Sequence, residues 1–121
     1  MGQTANIVLK PDGLIRQLRP SELPKFRDHL LRLDPEARRD RFGGSVQDAY
    51  VRSYAELCFR DGTTVVGYIV DDLVRGAAEI HEQPQARPPA AEIAFSVERG
   101  WQRLGIGSLL FDRLIELALN F

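Results

Sequence analysis

Residues 91–121 read AEIAFSVERGWQRLGIGSLLFDRLIELALNF, and this stretch decides the fold. Ala91–Val97 is a short apolar run interrupted by polar residues at alternate positions, the pattern of a half-buried strand. Gln102-Arg103-Leu104-Gly105-Ile106-Gly107 follows as a tight glycine-bearing turn, and from Ser108 the apolar residues take helical spacing. A strand, a glycine turn and a helix in immediate succession aim several backbone N–H groups at one point, beside the positive end of the new helix. Such a point suits phosphate. A dinucleotide fingerprint needs a third glycine three residues after Gly107, where Leu110 stands. A P-loop needs Gly-Lys-Ser/Thr, and Gly107 is followed by Ser108-Leu109.

Working upstream, Gln83–Pro89 holds three prolines and reads as a loop. Thr63–Val70 is rich in β-branched residues and bounded by Asp61-Gly62 and Asp71-Asp72. With Leu73–His81 it forms a predicted hairpin across Asp71-Asp72. Ser45 opens a helical run in which Val46, Tyr50, Tyr54 and Leu57 share a predicted buried face. Gly43-Gly44 ends an earlier helix that begins with Asp34 as N-cap and Pro35 at the first helical position. Before it, Pro20-Ser21-Glu22 starts a helix carrying Leu23, Phe26, Leu30 and Leu33 at helical spacing, and Leu14–Arg19 alternates as a strand. Residues 1–13 form a lead-in ending in the turn signature Pro11-Asp12-Gly13. The predicted order is strand, two or three helices, three strands and a helix: an α/β (α+β) layout on a largely antiparallel sheet.

At 121 residues the chain is one domain or part of one. Its 44% hydrophobic and 27% charged residues exclude a disordered chain, and a net charge of −1 gives no general field for nucleic acid or an anionic membrane. The single cysteine, Cys58, excludes an internal disulfide and a multi-thiolate metal site, which points to a reducing cytoplasmic setting. No stretch has signal-peptide or membrane-span character, and no spacing suggests a metal site.

Glu92 on the strand, Trp101-Gln102 before the turn and a long apolar helix after it resemble the central motif of the GNAT-type N-acetyltransferases. The family signature Arg/Gln-x-x-Gly-x-Gly/Ala is matched by Gln102, Gly105 and Gly107. AEIAFSV resembles the fourth strand of that fold, and the preceding elements resemble its first strand, two helices and hairpin. The resemblance implies a GNAT fold over residues 14–121, a mostly antiparallel sheet with helices on both faces, whose C-terminal strands are missing. An apolar stripe of Leu109, Leu110, Leu114, Ile115, Leu117, Ala118 and Phe121 then needs a sheet to cover, and a partner, such as a second copy, could supply the absent surface. It further implies acetyl-CoA as cosubstrate, its pyrophosphate held by backbone groups across Gln102, Arg103, Leu104, Gly105, Ile106, Gly107 and Ser108. The pantetheine arm would lie on main-chain groups at Phe95 and Val97.

Glu92 shares a strand face with Ala94 and Ser96. AEI followed by phenylalanine resembles protein-lysine acetyltransferases, whose general-base glutamate stands at this position. The implied reaction moves acetyl from acetyl-CoA to a primary amine, a protein lysine or a small molecule, by direct attack. A general-acid tyrosine that many relatives carry beyond the motif helix has no counterpart in this sequence. The rival readings are a non-catalytic acyl-CoA-binding module and an inactive fragment that dimerises through an open sheet edge. Glu79 and Glu82 read as surface charges and second-line bases, His81 as a proton shuttle or an ordinary loop histidine, His29 as exposed and Cys58 as a small core residue. Residues 33–42, LDPEARRDRF, resemble a stretch of bacterial protein-acetylating GNAT domains. Arg38 and Arg41 there, on neighbouring turns, would suit an acidic partner patch.

Overall fold

A computed structural model describes residues 13–119. Four strands, β1 (Leu14–Gln17), β2 (Thr64–Val70), β3 (Leu73–Gln83) and β4 (Ala90–Val97), form one antiparallel sheet in the order β1-β2-β3-β4. Helices α1 (Leu23–Arg32), α2 (Pro35–Phe42) and α3 (Asp48–Arg60) lie between β1 and β2, and α4 (Ile106–Leu119) follows β4.

Alternation, with one register shift at Tyr68/Ile69, splits the central strands β2 and β3 between two cores. Val65, Ile69, Val74 and Ala77 face Phe26 and Leu30 of α1 and Val51, Ala55 and Cys58 of α3. Their neighbours Val66, Tyr68, Ala78 and Ile80 face Ile106, Leu110 and Leu114 of α4. The sheet is therefore covered on both sides, and β2 reads apolar at nearly every position for that reason. Each fully buried leucine contributes roughly 1.5–3 kcal/mol of transfer free energy.

Local signals act as their chemistry dictates. The Asp34 side chain accepts from the Ala37 amide at 2.8 Å, with Pro35 next, and a cap of this kind contributes about 1 kcal/mol. Gly43 ends α2 at φ 74°, a left-handed conformation that glycine adopts without a Cβ penalty. Asp71 (φ 51°) and Asp72 (φ 66°) close the β2–β3 hairpin with both residues left-handed, as a two-residue turn matching the strand twist requires.

Several boundaries and one face differ from expectation. β3 runs on to Gln83 rather than ending at His81. β1 stops at Gln17, α4 starts at Ile106 rather than Ser108, and α3 starts at Asp48 rather than Ser45. The buried face of α3 is Val51–Ala55–Cys58, whereas Tyr50 and Leu57 are 53% and 44% exposed. Tyr50 and Tyr54 instead pack edge-on against Phe42 of α2, at centroid distances of 5.7 and 5.1 Å. The aromatic stripe links helix to helix, and the smaller residues fit against the sheet. Residues 1–12 and 120–121 lie outside the described residues.

Candidate functional site

Among the described residues, β4 has a paired side and an open side. The Glu98 amide donates to the Arg75 carbonyl at 3.0 Å, and alternate residues of an antiparallel ladder point the same way. The amides of Ser96 and Ala94 therefore face β3, and those of Phe95 and Val97 face the free edge. The Val97 carbonyl shows the same direction, since it accepts from the Gln102 side-chain amide at 3.0 Å. Next to this edge stand partly exposed Ile93, Phe95 and Phe111, the last on α4. Phe95, Gly107, Ser108, Phe111 and Asp112 line a shallow cleft there of about 480 Å³.

The turn after β4 contains two left-handed residues, Arg103 (φ 65°) and Gly105 (φ 81°). The Gly105 carbonyl accepts the first helical bond, from the Leu109 amide at 3.2 Å. The amides of Ile106, Gly107 and Ser108 thus belong to the first turn of α4, where a helix has no carbonyl of its own to offer them. A Cβ built on Gly107 meets nothing within 4 Å. Ile106 sends its side chain into the core, Leu104 packs beside it, and Gln102, Arg103 and Ser108 are exposed. On the α2 side, Arg99, Gln102 and Arg103 face Asp34, Glu36 and Asp40 across a small polar cavity.

A second cleft of about 430 Å³ opens at the other end of β4, lined by Arg41, Tyr54, His81, Glu92, Ile93 and Ala94. Glu92 is exposed and pairs across the strands with His81. Behind His81 lies Glu79, wholly buried, and this corrects its reading as a surface charge. Its Oε1 accepts from Arg41 at 2.7 Å and from His81 Nε2 at 2.9 Å, and also from the Tyr54 hydroxyl; its Oε2 accepts from Arg41 Nε at 3.2 Å. Burial opposes the charge on Glu79, but the His81 hydrogen bond and the Arg41 guanidinium outweigh it and hold the carboxyl below the usual range. Burial and then Glu79 push the Tyr54 hydroxyl well above its ordinary value. Arg41, expected to reach outward, is turned into this network, while Arg38 bonds Asp48 and the Leu31 and Val46 carbonyls. The acidic-patch reading of that pair does not hold. Glu82 is exposed, as expected.

Cys58 packs in the core, as expected, yet Glu79 and His81 stand close to it: donor atoms of the three lie within 4.8 Å of one another. Burial and Glu79 push the thiol up to about 12, which removes its nucleophilic character near neutrality. Arg41 already supplies the positive partner of Glu79, so a metal ion there would meet a fixed cation.

His29 is 0% exposed, against the expectation of an exposed position. Its Nδ1 lies 3.0 Å from Glu98 and its Nε2 lies 2.8 Å from Ser96 Oγ. Arg32 and Arg75 also bond Glu98, at 3.0 and 2.9 Å. Burial works against the Glu98 charge, but His29 and the two arginines prevail and lower its pKa. This network ties α1 to the end of β4 and so fixes the strand that leads into the turn.

The family model described as the acetyltransferase (GNAT) family matches residues 17–121. The chain belongs to the GNAT family. No curated protein sequence matches it. Among solved structures, the GNAT domain of Streptomyces lividans PAT superposes with a TM-score of 0.68 at 16% identity, covering 89% of this chain and 66% of that one. A ribosomal-protein-alanine N-acetyltransferase from Brucella melitensis gives 0.63 at 22% identity, over 88% and 67%. An aminoglycoside acetyltransferase from an uncultured soil metagenomic sample gives 0.62 at 26% identity, over 89% and 70%. This GNAT chain spans about two thirds of the length of these structures. The first two likenesses establish the fold.

Within that fold, the residues singled out from the sequence fall into two groups. Phe95, Val97 and residues 102–108 lie in sequence along the edge and turn, and Glu92 stands at the opposite end of β4. The reading of the sequence missed Arg41 and Tyr54 as cleft residues. A signal was present: Glu79 stands between Ala77-Ala78 and Ile80 in a strand, where a carboxylate needs a buried partner.

Proposed function

We propose that the chain binds acetyl-CoA along the free edge of β4 and transfers its acetyl group to a primary amine by direct attack. The observation that carries this reading is the continuity of one main-chain track. Amides of Phe95 and Val97 point along an unpaired edge, and that edge runs into a turn whose first-turn amides stand beside the bare Gly107. An extended amide-bearing arm suits the edge, and a diphosphate suits the turn. Hydrogen bonds to charged groups contribute roughly 1.5–3 kcal/mol each, and the absence of a Cβ at Gly107 leaves room for close approach. The domain on this reading is residues 14–121, and a cytoplasmic setting follows from the single thiol and the general availability of the cosubstrate there.

Glu92 is the proposed general base. An alkyl ammonium with a reference pKa near 10.4 is only about 0.04% neutral at pH 7, a deficit of roughly 4.6 kcal/mol. Glu92 borders the open cleft at the end of the track, where an acceptor amine would enter. The neutral amine, its first proton released to solvent, attacks the thioester carbonyl, and an outward-facing amide of β4 stabilises the developing oxyanion. The proton taken by Glu92 as the C–N bond forms passes to the departing thiolate. Direct attack needs no acyl-enzyme, and the one thiol of the sequence, Cys58, is buried in the core.

The test is Glu92→Gln. The variant should bind acetyl-CoA within about twofold of the unaltered chain and lose about 10²–10⁴-fold in kcat for CoA release with an amine present. Equal turnover in both proteins would remove Glu92 from the reaction. Binding without turnover in the unaltered chain, whatever amine is offered, would favour a non-catalytic acyl-CoA module.

A further inference from the structure

The cleft beside Glu92 contains a second proton-accepting arrangement that general-base catalysis by Glu92 does not use. His81 is 28% exposed at its side chain and lines the cleft, and its Nε2 lies 2.9 Å from Oε1 of the buried Glu79. An ionised carboxylate can only accept, so this contact places the ring hydrogen on Nε2. The lone pair of the neutral ring is then on Nδ1. The Thr63 hydroxyl lies 3.4 Å from Nδ1, at the long limit of a hydrogen bond. Glu79 cannot take the proton in place of His81, because Arg41 and the surrounding donors hold it ionised. A buried carboxylate that fixes one tautomer and steadies the imidazolium formed on the other nitrogen is the logic of a histidine–acid proton relay.

We propose that His81 is a catalytic proton acceptor of the acceptor cleft, oriented by Glu79, and that Tyr54 and Arg41 act as positioning residues for that pair. This rests on the transferase reading above and adds a division of labour to it. An ammonium acceptor must shed two protons on its way to an amide. Nδ1 of His81 takes the first, giving the neutral amine, and returns it to water after the product leaves. Glu92, its cross-strand partner, takes the second as nitrogen bonds to the acyl carbon and the carbon–sulfur bond breaks; that proton ends on the thiol of CoA. The net release is one proton per turnover. The groups facing His81 are Glu79 on its own strand, Tyr54 and Cys58 from α3, Arg41 from α2, Thr63 before β2 and Glu92 from β4.

Two measurements test this on the full chain. The first is steady-state kinetics of His81→Ala and His81→Asn, with acetyl-CoA affinity by calorimetry as the check on folding. We expect kcat to fall at least tenfold with affinity kept within twofold, and added imidazole to restore turnover in His81→Ala only. A merely structural histidine gives no such rescue. The second needs no turnover: long-range ¹H–¹⁵N spectra of the two histidines, His29 and His81, assigned with the same variants. Neutral His81 should be the Nε2–H tautomer and should lose that preference in Glu79→Gln. An Nδ1–H tautomer overturns the proposal, as does full kcat in both variants of an active chain. If the unaltered chain acetylates no amine, the transferase reading itself fails and the relay has no reaction to serve.

Discussion

Gly107→Leu separates a ligand contact from a packing contact. In the structure, the position of a Cβ at residue 107 is open to 4 Å, and the backbone there is in the first turn of α4 without a positive φ. Folding should therefore tolerate leucine and gain up to about 1 kcal/mol from replacing a helical glycine. A diphosphate held by the amides of residues 103–108 would meet the new side chain. Displacing it from one charged hydrogen bond costs roughly 1.5–3 kcal/mol, or about ten- to a hundredfold in Kd. Gly105→Ala is the contrasting variant, because φ 81° strains any L-residue and should lower stability by about 1–2 kcal/mol. Isothermal titration with acetyl-CoA and thermal unfolding, run on both variants, read the two effects separately. An unchanged Kd in a normally folded Gly107→Leu protein would refute the backbone-cradle reasoning.

Acid should destabilise the chain through its paired carboxylates. The Arg16 hydrogen bonds, at 2.7 Å each, together with the Arg19 amide hold Glu22 at about 2 against the opposing effect of burial. Because the folded pKa lies below the ordinary 4.5, this stability is present above about pH 4.5 and is lost as pH falls toward about 2. Urea midpoints from pH 7 to 2 should fall over that window, and Glu22→Gln should flatten the curve by roughly 1–3 kcal/mol, discounted for the part-exposed Arg16. Cys58, with its pKa pushed up to about 12, should react with iodoacetamide at pH 8 at least a hundredfold more slowly in the native chain than in urea; equal rates would contradict its burial.

What the sequence made legible were features set by neighbours. Asp34-Pro35 and Gly43 bound α2, Asp71-Asp72 closes the hairpin, and the Gly105–Gly107 turn starts α4, each through chemistry within four residues. What it hid were features set by partners far along the chain. His29 and Glu98 are 69 residues apart, and Arg41 and Glu79 are 38 apart, so His29, Arg41 and Glu79 read as surface residues until folding supplied their counterparts. On α3 two periodic stripes were available, and hydrophobicity favoured the aromatic one. The small residues Ala55 and Cys58 won because they allow α3 to approach the sheet, while Tyr50 and Tyr54 found Phe42.

Amide mapping by ¹H–¹⁵N correlation spectra during titration with acetyl-CoA tests the central claim most directly. The account predicts the largest shifts at Arg103, Leu104, Gly105, Ile106, Gly107 and Ser108, with Phe95 and Val97 following and the amides of β2 unmoved. Shifts that spare residues 103–108, or saturating acetyl-CoA with no shifts anywhere, would contradict it.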